Sequence, residues 1–405
     1  MEHEFRTRIN SWIGETFAAA KDDISFDDLV FALPGVHPND VAQGLDQLRL
    51  NMLKKAKRPK SETKQASRHL PVPHPLDYDW RFSNDSCLLV LQKVNETLLS
   101  GGNVVFLAAP TLFRAAQNTA LSSRSFLVDA CRETVSALGA GNVGHIFVAD
   151  LLRDDVPLLR ANVVVVDPPW YEEFSAAFLW ASSRIVEPGG TVFLSTPPVG
   201  TRPGIEAEWS RTIDMASSFG LLLRSVEQCL RYDSPPFERN ALKAAGHADV
   251  RSEWRCGTLA RFERAGNAYS ARPKGVSERP EWVEKSLRSV RFRLRRQVPC
   301  PEIRNPVLVP ILTGDILPTV SRRDLRRRQV DVWTSGNRVY ACSDTEALAW
   351  IVDALETRQP VDRYVESSLG RQLRPNEQES VIETMDQVSR IVSSELEEYL
   401  LEWEG

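Results

Sequence analysis

One short stretch of the sequence combines residue types that could handle an amino group: Asp167, Pro168, Pro169, Trp170 and Tyr171. A carboxylate accepts one N–H of a primary or exocyclic amine, and a backbone carbonyl stiffened by proline can accept the second. A neighbouring aromatic ring offers a face on which the acceptor stacks. Such contacts turn the nitrogen lone pair toward an electrophile such as a sulfonium carbon. The stretch therefore predicts the acceptor side of a group-transfer site, and its alternative is a solvent-facing turn after a buried strand.

The residues before Asp167 determine where this side chain lies. The run Ala161–Val166 ends in four consecutive valines, the length and β-branched content expected of a strand buried on both faces. Pro168 and Pro169 cannot donate ladder hydrogen bonds, so the strand must end at this point. In open α/β sheets ligands bind at the carboxyl ends of the strands. The sequence thus predicts Asp167 at the ligand-binding edge of a sheet.

Strands and amphipathic helices alternate on both sides of this stretch. The predicted strands are Gly101–Leu107, Ser125–Asp129, His145–Asp150, Ala161–Val166, Thr191–Ser195, Leu221–Val226 and Gly257–Phe262. The predicted helices are Asp85–Leu99, Thr111–Ala120, Arg132–Leu138 and Ser175–Ile185. Such alternation predicts an α/β fold with a Rossmann-like, doubly wound sheet of seven strands, which the last two strands close as an antiparallel hairpin.

Acidic residues follow three of the predicted parallel strands. Asp129 ends the second strand, Asp150 the third and Asp167 the fourth, so all three are expected at the ligand-binding edge. This arrangement resembles class I S-adenosylmethionine-dependent methyltransferases. The resemblance implies that Asp129 holds the ribose hydroxyls of the cofactor, that Asp150 meets its adenine, and that the motif after strand four does the chemistry.

The end of the first strand differs from that family. Leu107, Ala108, Ala109 and Pro110 stand where the family has a glycine-rich turn, and they complete the candidate cofactor-binding residues. Small alanines still let a ligand approach the backbone, and the following helix begins with N–H groups that have no partner within the helix. The alternative is a degenerate Rossmann scaffold that binds nucleic acid or protein without catalysis.

The motif itself resembles a narrower family. Asp167-Pro168-Pro169-Trp170 is similar to the Asp-Pro-Pro-Trp signature of amino-methyltransferases that modify adenine N6, including the mRNA N6-adenosine methyltransferases. The resemblance implies S-adenosylmethionine as the cofactor and N-methylation of adenine in nucleic acid as the reaction. Here the cofactor strands precede the motif, as in the unpermuted amino-methyltransferases.

A second family resembles the layout over roughly residues 10–265. Branched-chain polyamine synthases have a helical winged domain, a linker with aromatic and acidic residues, an unpermuted Rossmann sheet and an Asp-Pro-Pro motif. The resemblance implies aminopropyl transfer from decarboxylated S-adenosylmethionine to an amine. Their acidic cluster after the first strand is replaced here by Ala108-Ala109-Pro110, which weakens the case for a polycationic substrate.

The chain is predicted to have three parts. Residues 1–70 would form a helical, winged-helix-like module and a basic linker, residues 71–270 the methyltransferase domain, and residues 271–405 a mixed, arginine-rich accessory domain with terminal helices. The predicted amino-terminal helices are Phe5–Ala20, Phe26–Leu33 and Pro38–Leu50, and the linker comprises Lys54–Lys64 with a stiff extension at Pro71–Pro75. Three such helices fit a helix-turn-helix or winged-helix unit, or equally a packing or dimerisation module.

Two further regions could contact substrate. A second Pro-Pro loop carries Tyr232, Phe237, Glu238 and Arg239, which could form a substrate lid or only a surface crossover. Two arginine clusters, Arg288–Arg296 and Arg322–Arg328, could bind phosphate or pair with the acidic helix near residue 395. The nucleic-acid candidates in the second cluster are Arg322, Arg323, Arg326 and Arg327. Nucleic acid, a protein partner and self-association through the terminal helices are the possible partners.

Composition limits which other functional classes the protein could belong to. The chain has 405 residues, 42% of them hydrophobic, and a formal net charge of -4, so contacts with nucleic acid must come from local basic patches. Six scattered cysteines without a CxxC pair predict neither a metal site nor a disulfide framework. The sequence has no long apolar run and no apolar signal core, which predicts a cytoplasmic protein without membrane contact.

Overall fold

A computed structural model describes residues 1–20, 24–50, 70–139, 144–266, 271–273, 282–298 and 302–400. The chain forms two compact units. The first unit comprises Met1–Leu70, Trp80–Ser234 and Asp249–Ser277, and the second comprises Pro71–Asp79, Pro235–Ala248 and Glu278–Gly405. These two units differ from the three parts predicted from the sequence, and that division stays a prediction. The basic run of residues 54–64 lies outside the described residues.

An eight-stranded sheet forms the centre of the first unit. Its strands are β1 Arg81–Phe82, β2 Val104–Leu107, β3 Ser125–Asp129, β4 Ile146–Val148, β5 Ala161–Val166, β6 Val186–Thr196, β7 Leu221–Asp233 and β8 Cys256–Arg264. They lie in the order β1-β7-β8-β6-β5-β2-β3-β4, with β2 to β6 parallel and β1, β7 and β8 in antiparallel pairs. The predicted count of seven strands is wrong, because the two-residue β1 is too short to show any periodicity in the sequence.

Eight α-helices accompany this sheet among the described residues. They are α1 Glu2–Ala19, α2 Phe26–Ala32, α3 Pro38–Leu48, α4 Asn84–Thr97, α5 Pro110–Ala116, α6 Arg132–Gly139, α7 Glu172–Ile185 and α8 Ile205–Ser218. The first three pack around the buried side chains of Ile13, Leu29 and Val41. No strand occurs within residues 1–20 and 24–50, so the helical part of this module is observed and its winged form stays a prediction.

The second unit contains a smaller, antiparallel sheet. Its strands are β9 Trp282–Leu287, β10 Val290–Arg295, β11 Val309–Pro310, β12 Val332–Thr334 and β13 Val339–Ala341, in the order β11-β13-β12-β10-β9. Its helices are α9 Pro236–Ala244, α10 Thr345–Glu356, α11 Val361–Leu369 and α12 Pro375–Glu395, which a π-helical turn extends over Leu396–Leu400. Buried Phe292, Val332, Leu348 and Val388 belong to one apolar core that joins the sheet to α10 and α12.

Four charged side chains attach the segment Pro71–Asp79 to this sheet, and we call them the clasp: Asp77, Glu284, Arg291 and Arg293. Arg291 lies 2.7 Å from Asp77 and 2.5 Å from Glu284, and Arg293 lies 2.6 Å from each of these carboxylates. Burial opposes ionisation of Asp77, but the two guanidinium groups outweigh it and hold the pKa of Asp77 below its ordinary value. The predicted stiff extension at Pro71–Pro75 is thus part of the second unit and is fixed to its sheet.

His74 secures the same segment. Its side chain is fully buried, and burial lowers its pKa well below the ordinary value, so the ring is neutral. Nδ1 accepts the N–H of Leu76 at 3.1 Å, which leaves the proton on Nε2, and Nε2 donates to the carbonyl of Trp333 at 3.0 Å. The neutral ring thus satisfies two backbone groups without adding charge to the clasp.

Glu395, at the end of α12, is a buried carboxyl in the second unit. It accepts hydrogen bonds from the hydroxyl of Thr334, from the hydroxyl of Ser335 at 3.2 Å and from the N–H of Gly336 at 2.9 Å. A Cβ on Gly336 would lie 2.5 Å from the Glu395 carboxyl carbon, so only glycine leaves room for this contact. Burial raises the pKa of Glu395 to about 7, although these donors favour the charged form.

Glu395→Gln is expected to remove a pH dependence of stability. The folded-state pKa of Glu395 lies above its unfolded value, so this group's contribution is complete below pH 4.5 and is lost as the pH rises to about 7. Calorimetric unfolding should show a loss on the order of 3 kcal/mol across this interval for the wild type relative to the variant. The exposed Glu383→Gln on the same helix should keep the wild-type dependence. Identical curves for all three proteins would contradict the assignment.

Candidate functional site

The strand register brings the predicted site residues to one edge of the large sheet. Leu107 at the end of β2 pairs with both Val128 of β3 and Val166 of β5, and Asp129 pairs with Val148 at the end of β4. Because these strands are parallel, their carboxyl ends lie side by side. Asp129 at the end of β3, Asp150 after β4 and Asp167 after β5 therefore lie at the same edge of the sheet.

The turn after β2 adopts a backbone conformation that favours glycine. Ala108 has a φ of 50°, in the left-handed region. Its N–H donates to the carbonyl of Val128 at 2.9 Å, while the carbonyl of Leu107 accepts the N–H of Asp167 at 3.1 Å. Buried Ala109 and Pro110 then lead into α5. The turn thus keeps a glycine-type backbone conformation with a single methyl group as its side chain.

Asp129 and Asp150 each brace their own loop. One carboxylate oxygen of Asp129 accepts the N–H of Cys131 at 2.8 Å, and one oxygen of Asp150 accepts the N–H of Leu152 at 3.0 Å. Arg153 lies 3.8 Å from the second oxygen of Asp150. Both carboxylates are partly exposed, and these contacts fix their position relative to the backbone.

Asp167 meets a chain of three further polar side chains. The Tyr232 hydroxyl donates to Oδ1 of Asp167 at 2.8 Å and lies 2.5 Å from the Ser195 hydroxyl, which accepts the indole N–H of Trp170 at 3.1 Å. Tyr232, predicted as a substrate contact, lies in β7 with only 2% of its surface exposed. Burial, reinforced by the Asp167 charge, raises the pKa of Tyr232 well above its ordinary value.

Aromatic rings pack closely around this chain. Tyr232 stacks on Phe82 at a centroid distance of 4.6 Å and meets the ring of Trp170 edge to face at 5.6 Å. The guanidinium of Arg255 lies over three indole rings, those of Trp80, Trp254 and Trp170, at 4.6, 4.9 and 5.9 Å. The Asp-Pro-Pro-Trp loop is thus held by packing as well as by hydrogen bonds.

An open cleft of about 320 Å³, including the solvent at its mouth, lies beside the loop. Its lining combines Trp170 and Tyr171 with residues from α7, the end of β6, the loop after it and α8: Glu172, Ser175, Thr196, Pro197, Arg202, Ile205, Glu208, Trp209 and Thr212. Arg202 pairs with Glu208 and lies 5.5 Å from the ring centre of Tyr171. A hydrogen bond from Arg211 lowers the pKa of Glu172. The charges at the cleft are therefore largely compensated.

The remaining candidate substrate residues lie in the second unit. Phe237 and Glu238 are buried in α9, and Arg239 is partly exposed in the same helix. Arg326 pairs with Asp324 at 2.5 Å, and Arg327 donates to the carbonyl of Val320 and lies over Trp333. The last two candidates of the arginine cluster, Arg322 and Arg323, lie in the loop just before Asp324. A contact of these residues with nucleic acid stays a prediction.

Ser195 and Gly257 also belong to this site, although neither was predicted from the sequence. Ser195 is a buried hydroxyl at the end of the apolar run of β6, a position where an unpaired polar group would be costly. A serine in such an apolar run must therefore have a hydrogen-bond partner, and this was the signal in the sequence that could have identified Ser195. Gly257 in β8 faces the Trp170 and Tyr232 rings, and a glycine within a strand often marks such close packing.

Gly257→Ala is expected to disturb the Asp-Pro-Pro-Trp loop. A Cβ on Gly257 would lie 2.9 Å from the Trp170 ring and 3.2 Å from the Tyr232 ring, so both must shift. Overpacking of this kind costs about 1–3 kcal/mol. Urea unfolding and the near-ultraviolet circular dichroism of tryptophan should both change. Gly14→Ala in α1, where the added methyl meets no atom within 4 Å, should leave the spectrum unaltered. An unchanged spectrum in Gly257→Ala would contradict the close packing.

No protein-family model matches the sequence, and no curated protein matches it. Among solved structures, this chain is similar to a mutein of the branched-chain polyamine synthase from Thermus thermophilus, in complex with N4-aminopropylspermidine and 5′-methylthioadenosine. The match covers 68% of this chain and 94% of that chain, at 15% sequence identity and a TM-score of 0.51. The N-methyltransferase NodS from Bradyrhizobium japonicum WM9 matches 45% of this chain and 98% of its own at 16% identity and TM-score 0.30. The first likeness shows that the two chains share a Rossmann-like α/β fold. Within the described residues, no helix is long and apolar enough to cross a membrane.

Proposed function

We propose that the chain is an S-adenosylmethionine-dependent N-methyltransferase whose acceptor is the exocyclic amine of adenine in nucleic acid. The observation that carries the proposal is the Asp167 carboxylate, which follows β5 at the edge shared with Ala108, Asp129 and Asp150 and is fixed by Tyr232. An ionised carboxylate at the ligand-binding edge of such a sheet is suited to an N–H donor.

The residues at this edge fit the cofactor. The left-handed turn at Ala108 provides the backbone conformation of a glycine-rich loop, and the partly exposed Asp129 presents a carboxylate to the same edge. Leu107, Ala108, Ala109, Pro110 and Asp129 would therefore hold S-adenosylmethionine, with Asp150 near its adenine. The bound cofactor would supply an electrophilic methyl group on sulfur.

The acceptor would be held by the Asp-Pro-Pro-Trp loop. Asp167 would accept one N–H of the amine, the carbonyl of Pro168 would accept the other, and Tyr171 or Trp170 would stack on the base. Because a sulfonium methyl is already strongly electrophilic, alignment of the nitrogen rather than a strong base would provide most of the rate. Pro169 keeps the loop stiff, since its φ is fixed by the ring.

Aminopropyl transfer is the second candidate, because the structural likeness to the polyamine synthase mutein spans 94% of that chain. One charge near the motif favours methyl transfer to a nucleic acid instead. The guanidinium of Arg255 lies over the ring of Trp170, where a polycation would be repelled and a phosphate attracted, whereas Arg202 beside Tyr171 is already paired with Glu208. The turn at Ala108-Ala109-Pro110 carries no acidic side chain.

Calorimetric titration with S-adenosylmethionine and with its decarboxylated form tests the proposal. Binding of the first together with transfer of a labelled methyl group to adenine-containing oligonucleotides supports it. Preferential binding of the decarboxylated form with transfer to spermidine would replace it with the aminopropyltransferase. Binding of neither would leave a scaffold without catalysis.

A further inference from the structure

The hydrogen bonds behind Asp167 run in one direction. The Trp170 indole N–H can only donate, so Ser195 must accept it at 3.1 Å and is left to donate its own proton. Ser195 then donates to the Tyr232 oxygen at 2.5 Å, and Tyr232 donates to the Asp167 carboxylate at 2.8 Å. The donors therefore point in succession from Trp170 to the acceptor oxygen of Asp167.

Tyr232 remains a donor throughout the ordinary pH range. Its ring is buried, and both burial and the Asp167 charge raise its pKa well above the ordinary value, so the hydroxyl keeps its proton. A group that does not release its proton cannot carry one away from the amine. The chain of hydrogen bonds thus serves to orient the Asp167 carboxylate, and it does not act as a proton wire.

The chain is also closed on the loop that it supports. Trp170 follows Asp167 by three residues, so both ends of the chain lie in one loop, while Ser195 and Tyr232 are anchored in β6 and β7. Phe82 packs on the Tyr232 ring, and the Trp170 and Tyr232 rings both pack beside Gly257. This packing limits the rotation of Trp170 and Tyr232. A carboxylate held in this way has few orientations to lose when the acceptor binds.

We propose that Ser195 and Tyr232 are positioning residues, which together with Trp170 hold the Asp167 carboxylate in the orientation that meets the acceptor amine. This inference rests on the proposed function, because the amine contact belongs to that reaction. In this arrangement Trp170 has a structural role, because its indole N–H is the first donor in the chain of hydrogen bonds.

Other titratable groups also face Asp167 and Tyr232. The Cys87 thiol faces Asp167 and Asp233, and burial raises the pKa of Cys87, so it stays neutral. Cys256 faces Tyr232 from β8. The guanidinium of Arg255 lies nearby, over the Trp170 ring. Because Tyr232→Phe leaves these neighbours unchanged, a shift in the titration of Asp167 can be assigned to the loss of the Tyr232 hydroxyl.

Tyr232→Phe tests the inference, because it removes the donor and keeps the ring. We expect kcat to fall about 10- to 100-fold with an unchanged KM for S-adenosylmethionine, and the acidic limb of the pH profile to move to higher pH. Ser195→Ala should lower kcat in the same direction, and Ser195→Thr should restore it. The matched control is Tyr340→Phe, which removes a buried hydroxyl 2.5 Å from Asp315 in the second unit and should leave kcat and the pH profile unaltered.

A readout without turnover separates this inference from the proposed function. Carbon-13 signals of aspartate carboxyls, with Asp167 assigned through Asp167→Asn, should show a higher titration midpoint for Asp167 in Tyr232→Phe and in Ser195→Ala than in the wild type. An equal midpoint in all three proteins overturns the positioning chain even if methyl transfer occurs. A shifted midpoint in a protein that transfers no methyl group supports the chain and refutes the proposed function. Circular dichroism confirms folding, and Ser195→Ala decides the matter if Tyr232→Phe does not fold.

Discussion

Replacing Asp167 with asparagine is expected to slow methyl transfer about 100- to 1,000-fold while affinity for S-adenosylmethionine changes less than about threefold. Asparagine keeps the size of the side chain but loses the negative charge, and one of its two terminal atoms becomes a donor. The amine would then face a weaker acceptor, and the Tyr232 hydroxyl would lose its charged partner at 2.8 Å. Single-turnover transfer of a labelled methyl group measures the first effect, and calorimetry measures the second.

The matched control for this substitution is Asp214→Asn. Asp214 is exposed on α8 in the same unit, so its replacement changes the net charge equally without touching the loop. Both rate and affinity should stay at the wild-type level. If Asp167→Asn weakened cofactor binding as much as it slowed transfer, Asp167 would be a cofactor ligand and the assignment to the amine would be refuted.

Arg291→Met should have the largest effect on the stability of the second unit. The Arg291 side chain is only 4% exposed and contacts both acidic members of the clasp, Asp77 and Glu284. Methionine fills much of the space but leaves these carboxylates with Arg293 alone. Loss of one partner from a buried ionic group costs about 3–5 kcal/mol, because the other charges remain desolvated. Hydrogen exchange of peptides from β9 and β10 would report this loss directly.

Two further variants make the result specific. Arg390→Met removes an exposed arginine from α12 in the same unit and should change stability by less than about 0.5 kcal/mol. Adding Glu284→Gln to Arg291→Met should recover part of the loss, because one uncompensated charge is then removed. A clasp without energetic importance would give equal exchange rates in Arg291→Met and Arg390→Met.

The fold of the first unit could be predicted because its signals are local. Alternating apolar runs and amphipathic segments identified β2 to β8 and most of the helices, and the acidic residues after β3, β4 and β5 indicated the edge that binds ligand. Each of these signals lies within about ten residues of the element that it describes. The order of the strands then follows from the rules for parallel connections.

A mixed domain was predicted at residues 271–405, but the strands of its small sheet were not located. Val290, Phe292 and Leu294 alternate with arginines in β10, and this period of two indicates a strand, but the arginines were interpreted as a cluster that binds phosphate or pairs with an acidic helix. Arg291 is in fact buried, with one acidic partner nearby in the sequence, Glu284, and one far away, Asp77. The long-range pair with Asp77 leaves no local pattern from which it could be inferred.

The role of Tyr232 was unpredictable for the same reason. Tyr232-Asp233-Ser234-Pro235 is a polar, proline-containing stretch of the kind that forms exposed loops. The structure instead places Tyr232 at the end of β7, where its hydroxyl reaches Asp167, 65 residues earlier. Its burial depends on Phe82 and Gly257, which only the folded chain brings together.

The clasp has a consequence for synthesis on the ribosome. Asp77 is made 216 residues before Arg293, its hydrogen-bonded partner in the second unit. At 5–20 residues per second, roughly 10 to 40 seconds of translation separate the two. During that time the nascent segment Pro71–Asp79 has no sheet on which to settle, so its attachment must wait until β9 and β10 have been made. Slowed elongation or premature release would therefore leave an incomplete second unit for chaperones to recognise.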